Sequence, residues 1–160
     1  MPSLRHYLSS LTLGLSLSLS ALAAPLGIGS PAPSLTLEDQ NGRSVSVLQS
    51  TQILIFAADK AASDLANEVL GNEKDGVLNR LNAVYLADIS SMPALVTKMF
   101  ALPAMRGLPF PIGLAKEASV LAELPRQKSA VTVIRMANGK IEGVDHAKDM
   151  SQLKQMLGLH

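Results

Sequence analysis

The sequence predicts an α/β domain with a mixed central sheet, helices on both faces and a β-hairpin at its N-terminal end. Three features of the chain lead to this class. Short apolar runs, typical of strands buried on both faces, alternate with stretches of helical periodicity. Two turn signals, Asn41-Gly42 and Asn138-Gly139, separate alternating segments and indicate hairpins. Strand–helix–strand order favours parallel pairing, whereas hairpins are antiparallel, so the sheet is predicted to be mixed.

The first half of the chain predicts a hairpin followed by a βαβ unit. The continuous apolar run Ile53-Leu54-Ile55-Phe56-Ala57-Ala58 is typical of a central strand. Two glycines, Gly71 and Gly76, are expected to kink or split the helix that follows it. In order, the predicted elements are hairpin strands at 35–37 and 45–47, a strand at 53–58, a helix at 61–81 and a second buried strand at 84–89.

The second half predicts a helix at 93–102, a short strand at 110–114, strands at 130–136 and 140–144, and a closing helix at 151–157. Pro111 suggests that the strand at 110–114 lies at an edge of the sheet, because proline cannot donate to a neighbouring strand. The segment 102–111 is predicted to be an apolar, proline-restricted loop with one cation, Arg106. It is either a partner-docking edge or a connector packed under the sheet.

The N-terminal residues predict export. Arg5 and His6 precede an apolar run from Leu8 to Leu22, and Ala21-Leu22-Ala23 offers small residues where a signal peptidase reads the chain. We expect residues 1–23 to be a signal peptide cleaved before Ala24, which predicts a periplasmic protein; the alternative is a retained membrane anchor. Residues 24–34 then form an extended lead-in and 35–160 a single domain. No comparable apolar run follows, so we expect no stable membrane insertion after cleavage.

Composition excludes several functions. The chain contains no cysteine, which removes disulfides, thiol catalysis and cysteine metal sites together. The chain has 14 Lys+Arg and 13 Asp+Glu. Cleavage would remove one basic residue, Arg5, so basic and acidic residues would then be equal in number. A net charge of zero offers no argument for nucleic acid or an anionic membrane surface as a partner.

The order of elements resembles the thioredoxin superfamily across most of residues 28–157. Four stretches carry the resemblance: Gly29–Leu37 with Asp39 and Gly42, the strand at 53–58 entering a helix, Phe110-Pro111-Ile112, and Ala130–Ile134 with Asn138-Gly139-Lys140-Ile141. The lead-in is similar to that of peroxiredoxin-like and periplasmic thioredoxin-like domains. The strand at 129–134 with the closing helix is most similar to the YtfJ-type group of periplasmic proteins.

The resemblance also implies which positions would carry redox chemistry, and none of them has the residue that this chemistry requires. The two cysteines of a thioredoxin would fall on Ala61 and Asp64, neither of which can form a mixed disulfide. The family's cis-proline would fall on Ala130, where we expect a trans peptide bond. The threonine and cysteine of peroxiredoxins are missing from 57–65. The resemblance therefore implies a scaffold whose redox centre has been replaced.

A binding surface at the same place is the strongest remaining candidate. Asp59, Lys60, Ser63 and Asp64 crowd the start of the first helix, where unpaired N–H groups and the positive end of the helix dipole lie. Ser129, next to Ala130, is expected beside them. The alternative is that Asp59 or Ser63 only caps the helix.

Other polar groups predict no catalytic residue, metal site or cofactor. His146 and Asp149 lie near the closing helix but lack a third metal ligand, so a surface histidine and a helix cap are favoured. Two functions follow. The first is a non-catalytic periplasmic factor that binds a protein or peptide. The alternative is a thiol-independent enzyme built on Asp59, Asp64 or His146.

Overall fold

A computed structural model describes residues 24–160, which form a seven-stranded sheet in the order β2-β1-β5-β4-β3-β6-β7. The strands are β1 (Thr36–Glu38), β2 (Ser44–Ser46), β3 (Ile53–Ala57), β4 (Ala83–Asp88), β5 (Gly113–Ala115), β6 (Val131–Ala137) and β7 (Lys140–Ala147). The α-helices are α1 (Lys60–Gly71), α2 (Val77–Arg80), α3 (Ala94–Val96), α4 (Leu102–Arg106) and α5 (Met150–Leu157). The helix predicted at 61–81 is split between α1 and α2, as its glycines indicated.

The pairing confirms a mixed sheet. Strands β3, β4 and β5 are parallel, whereas β1–β2 and β6–β7 are antiparallel hairpins. The β6–β7 turn consists of Asn138 (φ 51°) and Gly139 (φ 72°), both in the left-handed region. A two-residue turn of this kind matches the twist of antiparallel strands, which is why the Asn-Gly signal located the hairpin correctly.

Alternation along the strands divides the core between the two faces of the sheet. Ile55 and Ala57 of β3 pack in one cluster with buried residues of α1, α4 and α5, whereas Leu54 and Phe56 pack in the other. The second face is covered by Leu121, from the 3-10 helix Ala118–Leu121, and by apolar residues of the lead-in. Helical segments therefore lie on both faces, with the longer helices on the first.

The predicted edge position of the strand at 110–114 is wrong. Strand β5 lies inside the sheet between β1 and β4, and all three of its residues are buried. Pro111 precedes the strand and is not part of its ladder, so its missing N–H costs no sheet hydrogen bond. The N-terminal hairpin covers the edge that β5 would otherwise present, through the pairing of Glu38 with Leu114.

The predicted loop at 102–111 is wrong in its first half. Residues 94–106 are helical throughout: α3 continues through the π-helical turn Thr97–Ala101 into α4, where Arg106 lies. The N–H of Leu102 donates to the carbonyl of Thr97, five residues back. Pro103 accounts for the wider turn, because its ring would collide with the carbonyl four residues earlier in a regular α-helix. We call residues 94–106 the bulged helix.

Gln40, in the turn of the N-terminal hairpin, holds the end of the bulged helix. Its side chain is 2% exposed. Its Nε2 donates to the carbonyls of Met105 (3.2 Å) and Phe110 (2.8 Å), and its Oε1 accepts from the N–H of Ile112 (2.9 Å). The Nε of Arg106 donates to the Gln40 carbonyl at 3.0 Å. One hairpin residue thus joins α4 to the approach of β5.

The lead-in is tied to the β6–β7 hairpin. All three bonds are between backbone groups. The N–H of Gly29 donates to the Ile141 carbonyl, the N–H of Ile141 to the Ser30 carbonyl, and the N–H of Ala32 to the Gly139 carbonyl. The predicted signal peptide, residues 1–23, lies outside the described residues. Within residues 24–160, no helix combines the length and apolar character needed to cross a membrane.

Candidate functional site

Asp59 connects the start of α1 to the segment before β6. Its Oδ1 accepts the N–H of Ala62 at 2.9 Å, which caps the helix. Its Oδ2 accepts the N–H of Ser129 at 2.8 Å. Ser129 has a left-handed backbone (φ 57°), which places its N–H toward the helix. The capping alternative for Asp59 is therefore confirmed, and the same carboxylate brings Ser129 beside α1 as expected.

The positions that would carry a redox pair lie on the outer surface of α1. Ala61 and Asp64 are both exposed, and Asp64 forms an ion pair with Lys60 one turn earlier. Ser63 is buried on the inner side of the same turn. Ala130, at the position of the family proline, is fully buried, and the peptide bond before it is trans. Of the predicted patch, Lys60, Asp64 and Ser129 are exposed, Asp59 is half-buried, and Ser63 is buried.

A groove of about 560 Å³ separates this turn of α1 from the bulged helix. We call it the α1 groove. Its polar side is formed by Lys60, Ser63, Asp64 and Asn67 of α1, and its apolar side by Val96, Phe100 and Ala104 of the bulged helix, with Met92, Met105 and Leu108 completing the floor. Phe100 is 66% exposed, although the chain has few aromatic residues. A volume of this size is within the range of ligand sites, roughly 300–1,000 Å³.

Tyr85 of β4 lies in the core beneath α1. It is fully buried, and its hydroxyl donates to Asn67 Oδ1 at 3.3 Å. Burial raises the pKa of the Tyr85 phenol well above its ordinary value of 10.0, because the phenolate would lose its hydration. The neutral hydroxyl therefore supports α1 from below over the whole physiological range.

This burial predicts an alkaline limit to stability. Burial raises the pKa of Tyr85 in the folded state. Its contribution to stability is therefore complete below the pKa of the unfolded state, about 10, and is lost as pH rises from there toward the pKa of the folded state. We expect the free energy of unfolding to fall by up to about 1.4 kcal/mol per pH unit above pH 10 from this group. Tyr85→Phe should flatten the pH dependence of the free energy of unfolding, measured by urea denaturation at a series of pH values. An equal pH dependence in the variant would show that Tyr85 is not its source.

Arg106 does not join the patch on α1. It lines a second cleft, of about 440 Å³, on the other side of the bulged helix. Its guanidinium is held at Nε by the Gln40 carbonyl. The two surfaces predicted as candidates, the start of the first helix and the segment around Arg106, thus belong to two clefts, which share only Met92 among their lining residues.

The residues of the alternative enzyme do not converge. His146 lies in β7, where its Nδ1 is 3.0 Å from Thr132 Oγ1. Thr132 is opposite both His146 and Phe56 in the sheet register, and Phe56 packs on the face away from α1. His146 therefore points away from Asp64. Asp149 caps α5 through Gln152, as favoured, and residues 24–160 contain no group of three acidic or histidine side chains placed to hold a metal.

Sequence reasoning missed the apolar wall of the α1 groove. Val96, Phe100 and Ala104 recur at four-residue spacing, which is a helical stripe that the sequence does contain. The predicted helix at 93–102 ends before Ala104, and periodicity alone does not distinguish a buried stripe from an exposed one. Asn67 had no signal of its own, since a polar residue on a helix is ordinarily solvated.

Comparisons with known proteins agree on the fold. No family model matches the sequence, and no curated protein matches it either. A solved structure assigned provisionally as a protein disulfide isomerase, from Bacteroides thetaiotaomicron, is 16% identical with a TM-score of 0.56, over 83% of this chain and 87% of that one. The peroxidoxin BcpB from Mycobacterium tuberculosis is 15% identical with a TM-score of 0.54, over 83% and 95%.

A third similar structure is provisionally assigned as the thiol:disulfide interchange protein DsbE from Chlorobium tepidum. It is 16% identical with a TM-score of 0.54, over 82% of this chain and 96% of that one. At these identities the likeness shows the fold alone. The chain thus has a thioredoxin-like fold, and its sequence contains no cysteine.

Proposed function

We propose that this chain is exported to the periplasm and acts there as a non-catalytic factor that binds a protein or peptide segment in the α1 groove. The groove itself carries the proposal: it opens beside Asp64, one of the two positions at which the resemblance places the redox pair, and combines an apolar wall with a polar rim. Without a thiol, contact at this place cannot proceed to a mixed disulfide. Binding is the function that such a groove retains.

The chemistry of the groove suits an apolar segment in an extended or helical peptide. Phe100, Val96 and Met92 offer apolar contact area, whereas Asn67 and Ser91 offer hydrogen bonds to a peptide backbone. The two charges at the rim, Lys60 and Asp64, neutralise each other. The third charged residue of the lining, Asp88, is paired with Arg126 at 3.2 Å, so charge contributes little to selection here and side-chain shape contributes most.

Export and kinship belong to the same proposal. The apolar run at 8–22 and the small residues before Ala24 support cleavage of a signal peptide. The strand at 129–134 with its closing helix supports kinship with the YtfJ-type group. The enzymatic alternative gains no support, because His146 lies on the face of the sheet away from α1. N-terminal sequencing of the periplasmic protein tests export directly: a chain that begins at Met1 would contradict cleavage.

The binding proposal is tested with a photoreactive amino acid at Ala104, which lines the groove and is exposed. Matched positions are Ala94, on the other side of the bulged helix, and Gln155, exposed on α5. We expect a discrete cross-linked partner from Ala104 and not from the other two. Ala104→Glu should weaken the purified partner's binding about tenfold, because it places an unpaired charge against an apolar segment. Cross-linking of the same partner with equal yield from all three positions would overturn the proposal.

A further inference from the structure

The second cleft differs in character from the α1 groove. It lies between the bulged helix and the end of β5, with a volume of about 440 Å³. Ile89, Met92 and Leu102 form its apolar floor, and Lys98, Arg106 and Lys116 stand around it. We call it the basic cleft. Thr97 is the one uncharged polar side chain among its lining residues.

The positive charge of the basic cleft reflects an uneven distribution of acidic and basic residues along the chain. No acidic residue occurs between Asp88 and Glu117, and the cations within that stretch are Lys98, Arg106 and Lys116. The fold brings all of them to one cleft, although they come from three different parts of the stretch. The zero net charge expected for residues 24–160 therefore conceals a local concentration of positive charge.

Little within the described residues neutralises these three cations. Lys98 and Arg106 form no ion pair among residues 24–160. Lys116 lies 3.3 Å from Glu38, but both side chains are about two-thirds exposed, and such surface pairs are weak. The bond from Arg106 Nε to the Gln40 carbonyl fixes the guanidinium in place at 3.0 Å. A fixed guanidinium favours a carboxylate, which it can contact through two parallel hydrogen bonds.

We propose that the basic cleft binds an amphipathic carboxylate, namely the anion of a medium- or long-chain fatty acid. The carboxylate contacts Arg106, with Lys98 and Lys116 adding favourable charge, and the alkyl chain covers Ile89, Met92 and Leu102. An inorganic anion would leave that apolar floor exposed to water. A peptide backbone would find Thr97 alone among neutral polar side chains. An acyl chain with one anionic end matches both parts of the cleft.

Calorimetric titration of the exported protein with dodecanoate, below its micelle concentration, tests this assignment. We expect saturable binding of one molecule per chain, weakened by added salt. Acetate supplies the head without the chain, and dodecyltrimethylammonium supplies the chain with the opposite charge. Both should bind about tenfold more weakly or worse, because each satisfies one part of the cleft and not the other.

Two matched variants locate the binding. Ala94 is exposed and lines the basic cleft, whereas Ala104 is exposed and lines the α1 groove. Ala94→Glu should weaken dodecanoate about tenfold or more through like-charge repulsion, and Ala104→Glu should leave it within about twofold. The double variant Lys98→Gln/Lys116→Gln, at two exposed side chains, should weaken it about fivefold. Circular dichroism confirms that each variant is folded.

Several results would overturn the assignment. Equal affinity of Ala94→Glu and the parent protein would place the ligand elsewhere. Equal affinity for dodecanoate and dodecyltrimethylammonium, or uptake without saturation, would indicate detergent-like adsorption. Association with phosphatidylglycerol vesicles, without binding of monomeric dodecanoate, would indicate a membrane surface as the partner. Because Ala104→Glu tests the α1 groove and Ala94→Glu the basic cleft, failure of either proposal is visible separately.

Discussion

Gln40→Leu should lower the free energy of unfolding by about 3 kcal/mol or more, because several buried polar groups lose their partner at once. Leucine fills a similar volume but leaves the Met105 and Phe110 carbonyls and the Ile112 N–H without their partner. Each buried group that loses its hydrogen bond costs about 1–3 kcal/mol. Urea denaturation followed by circular dichroism measures the loss.

Gln52→Leu is the matched control, because Gln52 is exposed and its side chain forms no hydrogen bond within residues 24–160. We expect that change to alter stability by less than about 0.5 kcal/mol. If Gln40→Leu costs no more than its control, the end of the bulged helix has found other partners, and Gln40 is not what holds it. A second consequence is functional: both clefts share the bulged helix, so Gln40→Leu should weaken binding at both.

Asp59→Ala should cost about 2–3 kcal/mol, because it removes two interactions at once. The first is the cap on α1 through Ala62, and the second is the charge-assisted bond to the Ser129 N–H. Without the second bond, the segment before β6 loses its tie to α1 beside the groove. Thermal and urea unfolding measure the total cost.

Two further variants separate these interactions. Asp149 caps α5 in the same way, with its Oδ1 2.9 Å from the Gln152 N–H and its carbonyl accepting from Leu153. Asp149→Ala should therefore cost about 1 kcal/mol, the value of a cap alone. Asp59→Asn keeps an acceptor for Ala62 but offers N–H₂ toward Ser129, so it should lose the second interaction only. Equal costs for Asp59→Ala and Asp149→Ala would show that the bond to Ser129 contributes nothing.

Local features of the fold could be predicted because their causes lie within a few residues. The Asn138-Gly139 turn, the split of the long helix and the caps at Asp59 and Asp149 each depend on backbone preferences of neighbouring residues. Apolar alternation and continuous apolar runs together located the seven strands to within a few residues. The mixed sheet followed from the order of hairpins and βαβ crossover, which restricts the topology.

Errors arose where distant residues decide the outcome. Pro111 indicated an edge strand, yet β5 became an inner strand because the N-terminal hairpin returns to cover it. Prolines on both sides of Arg106 indicated a loop, yet Pro103 is accommodated by a π-helical turn. Both prolines were interpreted from local rules alone, whereas β1 pairs with β5 and Gln40 anchors the end of the helix that contains Pro103.

The sequence by itself determined that this protein has no thiol chemistry, since a missing residue type is a property of composition that folding cannot change. It also determined the order of strands and helices along the chain. Only the tertiary structure decided which side chains share a cleft: Phe100 faces Asp64, and three cations separated by up to 18 residues along the chain meet around one apolar floor. A cleft is formed by elements that meet through long-range packing, and neither periodicity nor spacing along one chain records that meeting.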